Sequence, residues 1–168
     1  QENWLPPDNF QELPGHRVAH RTSPTDMGLA LLSNLAAYDL GYLSGGQLLD
    51  RTARALESME HLERHRGHFL NWYDTTTRKA LPPLYVSTVD SGNLVAHVRV
   101  LRSGLLELPA GAVLPGELRD GLRDTLQFLT EQAGPSAAPP PPGFDRSALE
   151  SVTRLLERPA GGLAATAA

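Results

Sequence analysis

The sequence predicts an all-α fold made of antiparallel helical hairpins in series. Apolar residues recur at helical spacing in several segments, and helix-capping signals stand directly before these segments. Between the second and third predicted helices, from Phe69 to Val86, the helical period fails and the residues favour an irregular extended segment. With 168 residues the chain has the size of one domain. Short connections between helices favour antiparallel neighbours.

The first two helices are marked most clearly by their N-terminal signals. Thr22 or Ser23 can cap the first helix, and Pro24 suits its first turn, where a missing N–H is no loss. The second helix begins at Ser44, and Gln47 follows at the spacing of a capping box. One face of this helix is apolar: Leu48, Leu49, Thr52, Leu56, Met59 and Leu62.

The third helix is expected to begin near Ser87, with Asp90 at the capping-box position. Apolar residues surround it on most sides, which predicts a buried inner helix. They are Val89, Leu94, Val95, Val98, Val100, Leu101 and Leu105.

The rest of the chain predicts two more helices and a spacer. A fourth helix begins at Pro115, and a short fifth runs from Asp145 or Ser147 to Glu157. The proline-rich stretch between them predicts a polyproline linker. We therefore divide the chain into residues 1–133, a linker at 134–143, and a short helix with a tail at 144–168.

Charge and composition exclude several classes of function. The net charge is −4, and no basic block follows a phosphate backbone, so we expect no nucleic-acid partner. The absence of Cys excludes disulfides and thiolate catalysis. No apolar run approaches the roughly 20 residues of a membrane-spanning helix, so we expect no membrane contact by this segment.

Residues 64–74 and 86–94 combine bases, aromatic rings, amides and carboxylates, which a connection between helices does not need. A site for a polar, ring-shaped ligand such as a sugar uses all of these groups. Asp74 and Asp90 are the candidate catalytic carboxylates, since glycosidases use two carboxyl groups that flank the scissile bond. Equally, Asp74 could simply form a turn, and Asp90 could be a first-turn residue stabilised by the helix dipole.

The candidate ligand-binding residues surround these two carboxylates. Trp72 and Tyr73 are consecutive, so in extended chain they face opposite ways, and at least one ring is expected outside the core. Arg21 precedes the first helix and lies near the same end of the bundle if helices one and three run parallel. The complete set is Arg21, Arg66, His68, Asn71, Trp72, Tyr73 and Asn93.

Two histidines raise the question of a metal. His61 and His65 are four residues apart, but Glu63 does not stand directly after the first His, as a zincin requires, and no obvious third ligand follows. Two histidines near a helix C-terminus account for the pattern better. We expect neither a metal nor a cofactor.

Three separated motifs resemble a known family. The segments 19–29, 62–74 and 85–94 look like the glucoamylase-like middle region of bacterial cyclic β-1,2-glucan synthases, and the similarity extends over roughly residues 4–130. An Arg before the first helix, an aromatic residue followed by Asp, and Ser-Thr-Val-Asp before an inner helix are also similar to endo-β-1,2-glucanases.

The resemblance implies a fold, a parent protein and a reaction. The fold would be an (α/α)6 toroid whose inner-helix starts line a sugar cleft, with Arg21, Trp72, Asp74 and Asp90 at cleft positions. The parent would be a large bacterial inner-membrane protein that polymerises glucan from UDP-glucose and also carries a phosphorylase-like domain. Its middle region would close the glucan ring by transglycosylation, and this segment would lie outside the membrane on the cytoplasmic side.

A complete toroid needs about twelve helices, whereas this sequence predicts about five. We therefore expect a fragment that is inactive alone, binds a β-1,2-glucan chain, contacts the remaining domains of its parent and exposes apolar helix faces. The alternatives are a segment of an endo-β-1,2-glucanase-like hydrolase and a non-catalytic helical binding or scaffold module.

Overall fold

The structure is a computed structural model that describes residues 2–111, 115–132 and 145–157. It is mainly helical, as predicted. The helices of these residues are α1 (Pro24–Asp39), α2 (Gly45–Glu60), α3 (Thr88–Glu107), α4 (Gly116–Gln132) and α5 (Arg146–Glu157), and a 3-10 turn follows α3 at Leu108–Ala110. The predicted proline-rich linker at 134–143 lies outside the described residues.

The chain divides into two compact units. One comprises Gln1–Asp39 and Leu43–Val113, and the other comprises Leu40–Tyr42 and Leu114–Ala168. The predicted site residues all belong to the first unit. In the second unit, Asp145 caps α5 by accepting a hydrogen bond from the Ser147 N–H at 2.8 Å.

Three short antiparallel ribbons supplement the helices of the first unit. Strand β1 (Phe10–Gln11) pairs with β2 (Arg17–Val18), and β4 (Arg64–His65) pairs with β5 (His68–Phe69). Strand β3 (Arg21–Thr22) pairs with β6 (Tyr73–Asp74), although 50 residues separate the two in the chain. This last ribbon joins the start of α1 to residues 69–74, which we call the aromatic segment.

The predicted helix caps are present. The Gln47 N–H donates to Ser44 Oγ at 3.3 Å, and the Ser44 N–H donates to Gln47 Oε1 at 2.9 Å, which completes the capping box of α2. Ser23 caps α1 in the same reciprocal way with Asp26. Reciprocal bonds satisfy N–H groups that a helix start otherwise leaves unpaired, so these side chains fix where both helices begin.

Helices α1 and α3 run parallel in close contact. Thr25 bonds to Asp90 near their starts, Gly28 lies against His97 one to two turns further along, and Leu35 lies against Gly104 near the other end. A Cβ added at Gly28 would stand 2.4 Å from His97 Nδ1. The sequence placed Arg21 at the site only if α1 and α3 run parallel. They do run parallel, and both helices begin at the same end of the unit.

The core of the first unit lies between α1, α2, α3 and the aromatic segment. Its members are Leu5, Met27, Leu31, Leu35, Leu48, Ala55, Met59, Leu62, Leu70, Tyr73, Leu94 and Leu101. Most of them occupy the apolar positions that the helical periodicity identifies.

The prediction that α3 is buried on most sides is wrong for this structure. Only Leu94 and Leu101 of this helix are buried. α1 covers one stripe of α3, and the apolar residues on the other sides of α3 face solvent. This agrees with the expectation that the chain exposes apolar helix faces. These exposed residues are Val89, Val95, Val98, Val100 and Leu106.

No helix in the described part of the chain combines the length and the apolar character needed to cross a membrane.

The close contact of α1 with α3 gives a stability prediction. Gly28→Ala places a methyl group 2.4 Å from His97 Nδ1 and 3.0 Å from its Cβ, so α1 and α3 must separate or the imidazole must move. We expect the substitution to lower the free energy of unfolding by about 1–2 kcal/mol net, measured by urea denaturation of the whole chain.

Gly92→Ala is the matched control, because an added Cβ there meets no atom within 4 Å. It lies in α3 and should raise stability by about 0.5–1 kcal/mol through helix propensity alone. Equal gains in both variants would show that α1 and α3 do not approach as closely as described.

Candidate functional site

The candidate site forms where α1 and α3 begin and where the β3–β6 ribbon meets them. In this ribbon Arg21 is paired with Asp74 and Thr22 with Tyr73. The backbone N–H of Asn71 donates to the carbonyl of Tyr85 at 2.9 Å, which ties the aromatic segment to the approach to α3. Residues far apart in sequence are thus held together by backbone hydrogen bonds.

A hydrogen-bonded network surrounds Asp90 in the first turn of α3. Thr25 Oγ1 donates to Asp90 Oδ1 at 2.5 Å, and Asn93 Nδ2 donates to Thr25 Oγ1 at 3.1 Å. With its amide oriented to match its neighbours, Asn71 donates from Nδ2 to Asp90 Oδ2 at 3.2 Å. Each carboxylate oxygen of Asp90 therefore accepts a hydrogen bond from a side chain that is at least partly buried.

The Asn71 amide also connects this network to two aromatic residues. Its oxygen accepts hydrogen bonds from the Tyr85 hydroxyl at 2.8 Å and from Trp72 Nε1 at 2.5 Å. Asn71 is only 5% exposed, so its polar atoms need these partners. Through one buried amide, the orientation of the Trp72 ring is coupled to the position of the Asp90 carboxylate.

Arg21 covers part of the Trp72 ring. Its guanidinium carbon lies 4.6 Å from the ring centroid, a cation–π distance. Asp8 Oδ2 accepts from Arg21 Nε at 3.0 Å and from Nη2 at 2.8 Å, and the Asp8 N–H donates to the Arg21 carbonyl at 2.7 Å. The guanidinium is thus held in place and its charge is paired.

Tyr73 is a core residue in this structure, which corrects its interpretation as a ligand-binding residue. The side chain is fully buried, and its hydroxyl accepts from the Leu70 N–H at 2.6 Å and donates to the Glu63 carbonyl at 2.7 Å. Burial raises the pKa of this phenol. The half-buried Trp72 is the ring of the pair that reaches the surface.

Asp74 organises its own turn. Its Oδ1 accepts hydrogen bonds from the N–H and hydroxyl groups of Thr76 and Thr77, at 2.7–3.0 Å. The Thr76 hydroxyl bond, followed by the Thr77 N–H bond, lowers the pKa of Asp74 to about 2. A group with this pKa is a poor proton donor at neutral pH. The observed contacts of Asp74 fit the alternative in which this residue forms a turn.

Arg66 and His68 belong to a separate hairpin, β4–β5. Arg66 and Gly67 form its two-residue turn with φ of 51° and 85°, the left-handed pair of a type I′ turn. Arg66 is exposed at the tip, and His68 is exposed on β5 opposite His65. The structure therefore places Arg66 and His68 on this ribbon. The other candidate residues belong to the network around Asp90 or contact it: Arg21, Asn71, Trp72, Asp90 and Asn93.

The histidine pair shows no metal-like arrangement. His61 ends α2, and its Nδ1 lies 2.7 Å from the Glu57 carbonyl oxygen. In residues 2–111, 115–132 and 145–157, no group of three or more His, Cys, Asp or Glu side chains could hold a metal ion.

Sequence reasoning missed three contributors. Thr25 follows a helix cap and resembles an ordinary first-turn residue, yet it links Asp90 to Asn93. Tyr85 lies in a loop beside prolines, and Asp8 lies in an irregular, proline-rich segment. No periodicity marks either position, and only the folded chain brings them to Asn71 and Arg21.

Comparison with known proteins identifies the relationship. No family model matches the chain. It is 37% identical over 164 residues to the cyclic β-(1,2)-glucan synthase NdvB of Rhizobium meliloti (strain 1021). The chain is similar to a segment of a cyclic β-1,2-glucan synthase. The resemblance predicted from the three motifs is thereby confirmed.

The extent of the match differs greatly between the two proteins. It covers 96% of this chain, but the chain spans only about 6% of the length of NdvB. A part in the activity of the whole synthase is therefore only proposed for this chain, in the next subsection.

The turn around Asp74 gives a pH prediction. The pKa of Asp74 is about 2 in the folded chain, below its unperturbed value of 3.8. The hydrogen bonds to the charged carboxylate therefore stabilise the fold fully above pH 3.8, and this stabilisation is lost as the pH falls through about 2. We expect Asp74→Asn to be less stable than the unmodified chain above pH 3.8. The difference, measured by urea denaturation, should shrink towards pH 2, and a constant difference would contradict it.

Proposed function

We propose that this chain forms one wall of a β-1,2-glucan-binding cleft that a cyclic β-1,2-glucan synthase uses for transglycosylation. The observation that carries the proposal is the coupling of the half-buried Trp72 through the Asn71 amide to Asp90. This arrangement lies within a segment 37% identical to NdvB. The parent would be a glycosyltransferase-type enzyme.

The chemistry of the site suits a neutral sugar. An indole surface can stack on the C–H face of a pyranose ring, while amide and carboxylate groups hold its hydroxyls. Asn93 and Asp90 supply those groups at the start of α3, and Arg21 fixes the position of the indole from one side. Because Asp8 pairs the Arg21 charge, the site offers no strong attraction to an anionic ligand.

Asp90 is the carboxylate of this wall that we assign to sugar binding or acid/base chemistry. Glycosyl transfer takes two carboxyl groups on opposite sides of the scissile bond, one of which protonates the leaving oxygen. The hydrogen bonds that Asp74 makes belong to its own turn, so we assign the second carboxyl group to the remainder of the parent polypeptide. The isolated chain is accordingly inactive.

The reaction would close a glucan ring. A hydroxyl at the far end of the bound chain attacks the anomeric carbon as the glycosidic bond breaks. The leaving oxygen takes a proton from a carboxylic acid, and a carboxylate takes the proton that the attacking hydroxyl loses. Water must be kept from competing with that hydroxyl, because attack by water would give a shorter linear glucan instead. The partners of this chain are then the glucan and the remaining domains of its parent.

The proposed domain is an (α/α)6 toroid to which residues 1–133 contribute the first hairpins. Support comes from the parallel α1 and α3, whose starts meet at the candidate site as inner helices of such a toroid would. The exposed apolar side of α3 suits further helices of the same domain. We place the parent in the bacterial inner membrane, with this segment on the cytoplasmic side.

Binding to β-1,2-gluco-oligosaccharides tests the proposed site. We expect Trp72→Ala and Asp90→Asn each to weaken binding at least about tenfold, equivalent to about 1.4 kcal/mol, in calorimetry with the whole chain. The first removes the stacking surface, and the second replaces a carboxylate oxygen that is free to accept a further hydrogen bond from a sugar.

Two substitutions control for general effects of the same chemical changes. Phe10→Ala removes an exposed aromatic ring, and Asp39→Asn neutralises an exposed carboxylate at the other end of α1. Both should bind as the unmodified chain does. A folded chain without affinity for the oligosaccharides, or one unaffected by the Trp72 and Asp90 substitutions, would contradict the proposal and favour a scaffold module.

Product analysis distinguishes the two enzymatic alternatives. Linear β-1,2-glucan incubated with the complete parent protein should give cyclic product. Shorter linear products alone would instead identify an endo-β-1,2-glucanase-like hydrolase that uses the same cleft.

A further inference from the structure

A second concave surface lies on the other side of α1. The N-terminal segment, α1 and α2 enclose an open groove of about 450 Å³, which we call the Trp4 groove. The residues that define it are Trp4, Leu29, Ser33, Asn34, Arg51 and Ala55. Its volume lies within the range of about 300–1,000 Å³ that is typical of small-molecule sites.

The Trp4 groove is separate from the network around Asp90. Gly28 and Leu35 of α1 face α3, whereas Asp26 and Ala30 line the groove. At about 100° per residue, the groove side of α1 points well away from the side that contacts α3. A ligand in the groove therefore cannot be held by Asp90.

The Trp4 ring packs against the guanidinium of Arg54, although it is 46% exposed. The guanidinium carbon of Arg54 lies 5.0 Å from the ring centroid, and Arg54 Nε donates to both oxygens of Asp50 at 2.9 Å. Beside the ring, Asn3 Nδ2 donates to the carbonyls of Thr75 and Thr76, which anchors the segment. The groove is therefore formed before any ligand arrives.

The same arrangement occurs at the candidate site. The chain contains two Trp residues, and each carries an Arg guanidinium against its ring. In both places an Asp holds that Arg, Asp8 for Arg21 and Asp50 for Arg54. An exposed ring that already packs against a paired Arg loses less conformational freedom when a ligand stacks on it than an unsupported ring would.

The polar groups of the groove select the class of ligand. Arg51 supplies one positive charge and Asp26 one negative charge, and Asp26 Oδ2 already accepts two hydrogen bonds from Ser23. The Asn34 amide and the Ser33 hydroxyl, which donates to the Leu29 carbonyl at 2.9 Å, provide neutral hydrogen-bonding groups. A balanced charge, one aromatic ring and amide and hydroxyl groups match a neutral ring that bears hydroxyls.

We propose that the Trp4 groove is a second saccharide-binding site, which holds another part of the glucan chain away from the Asp90 network. The ligand class follows from the lining, and the choice of a β-1,2-linked glucan rests on the proposed function. Two contacts on opposite sides of α1 would raise affinity for long chains above that for short ones, through effective concentration.

The two tryptophans allow each site to be observed separately. Trp72→Phe leaves Trp4 as the sole tryptophan, and Trp4→Phe leaves Trp72. Each variant of the whole chain, checked for its fold by circular dichroism, is titrated with β-1,2-gluco-oligosaccharides while tryptophan fluorescence is recorded. We expect a saturable change in the Trp72→Phe variant, which reports the Trp4 groove.

A second substitution tests whether the signal comes from the groove itself. In the Trp72→Phe background, Arg51→Ala removes a lining guanidinium and should raise the apparent Kd at least about fivefold, whereas Arg99→Ala, on α3, should leave it unchanged. Equal Kd values for the two would overturn the proposal even where Trp4 emission changes.

The outcomes separate this proposal from the proposed function. A response of Trp72 without a response of Trp4 overturns the second site and leaves the proposed function in place. A response of Trp4 alone supports the second site and contradicts the Trp72–Asp90 site. Silence of both tryptophans overturns both proposals.

Discussion

The close parallel contact of α1 and α3 is the constraint on which the rest of the first unit depends. Gly28 allows His97 to lie directly against α1, and the Thr25–Asp90 hydrogen bond joins the two helix starts. Because both helices then begin at one end, the segments that lead into them must meet there as well. The β3–β6 ribbon and the Asn71–Tyr85 backbone bond are the contacts that result.

This meeting of segments determines what the candidate site can do. A buried amide such as Asn71 must have partners, and those available are Asp90, Tyr85 and Trp72. Satisfying the amide therefore fixes a carboxylate and an aromatic ring relative to each other without any ligand. Preorganisation of this kind reduces the entropy lost on binding, which is what a site for a weakly interacting neutral sugar requires.

Local signals in the sequence were sufficient to predict the helices, because capping and periodicity involve residues within one or two turns. Ser44 with Gln47 and Ser87 with Asp90 lie where those rules place them. The burial of α3 could not be predicted, because it depends on which elements cover that helix. The same holds for Tyr73, whose core position follows from its long-range pairing with Thr22, and for Asp8, whose partner Arg21 is identified only in the folded chain. The residue types of 64–74 and 86–94 predicted one candidate site that includes Asn71, Trp72 and Asp90, but the hydrogen bonds through Thr25 follow only from the tertiary structure.

The central claim is that the end of the unit where α1 and α3 begin is a wall of a saccharide cleft. A crystal structure of the intact parent domain with a bound β-1,2-gluco-oligosaccharide tests it most directly. The account predicts a sugar ring stacked on Trp72, with hydroxyls within hydrogen-bonding distance of Asp90 and Asn93. An oligosaccharide bound elsewhere, with Trp72 and Asp90 covered by other parts of the polypeptide, would contradict it.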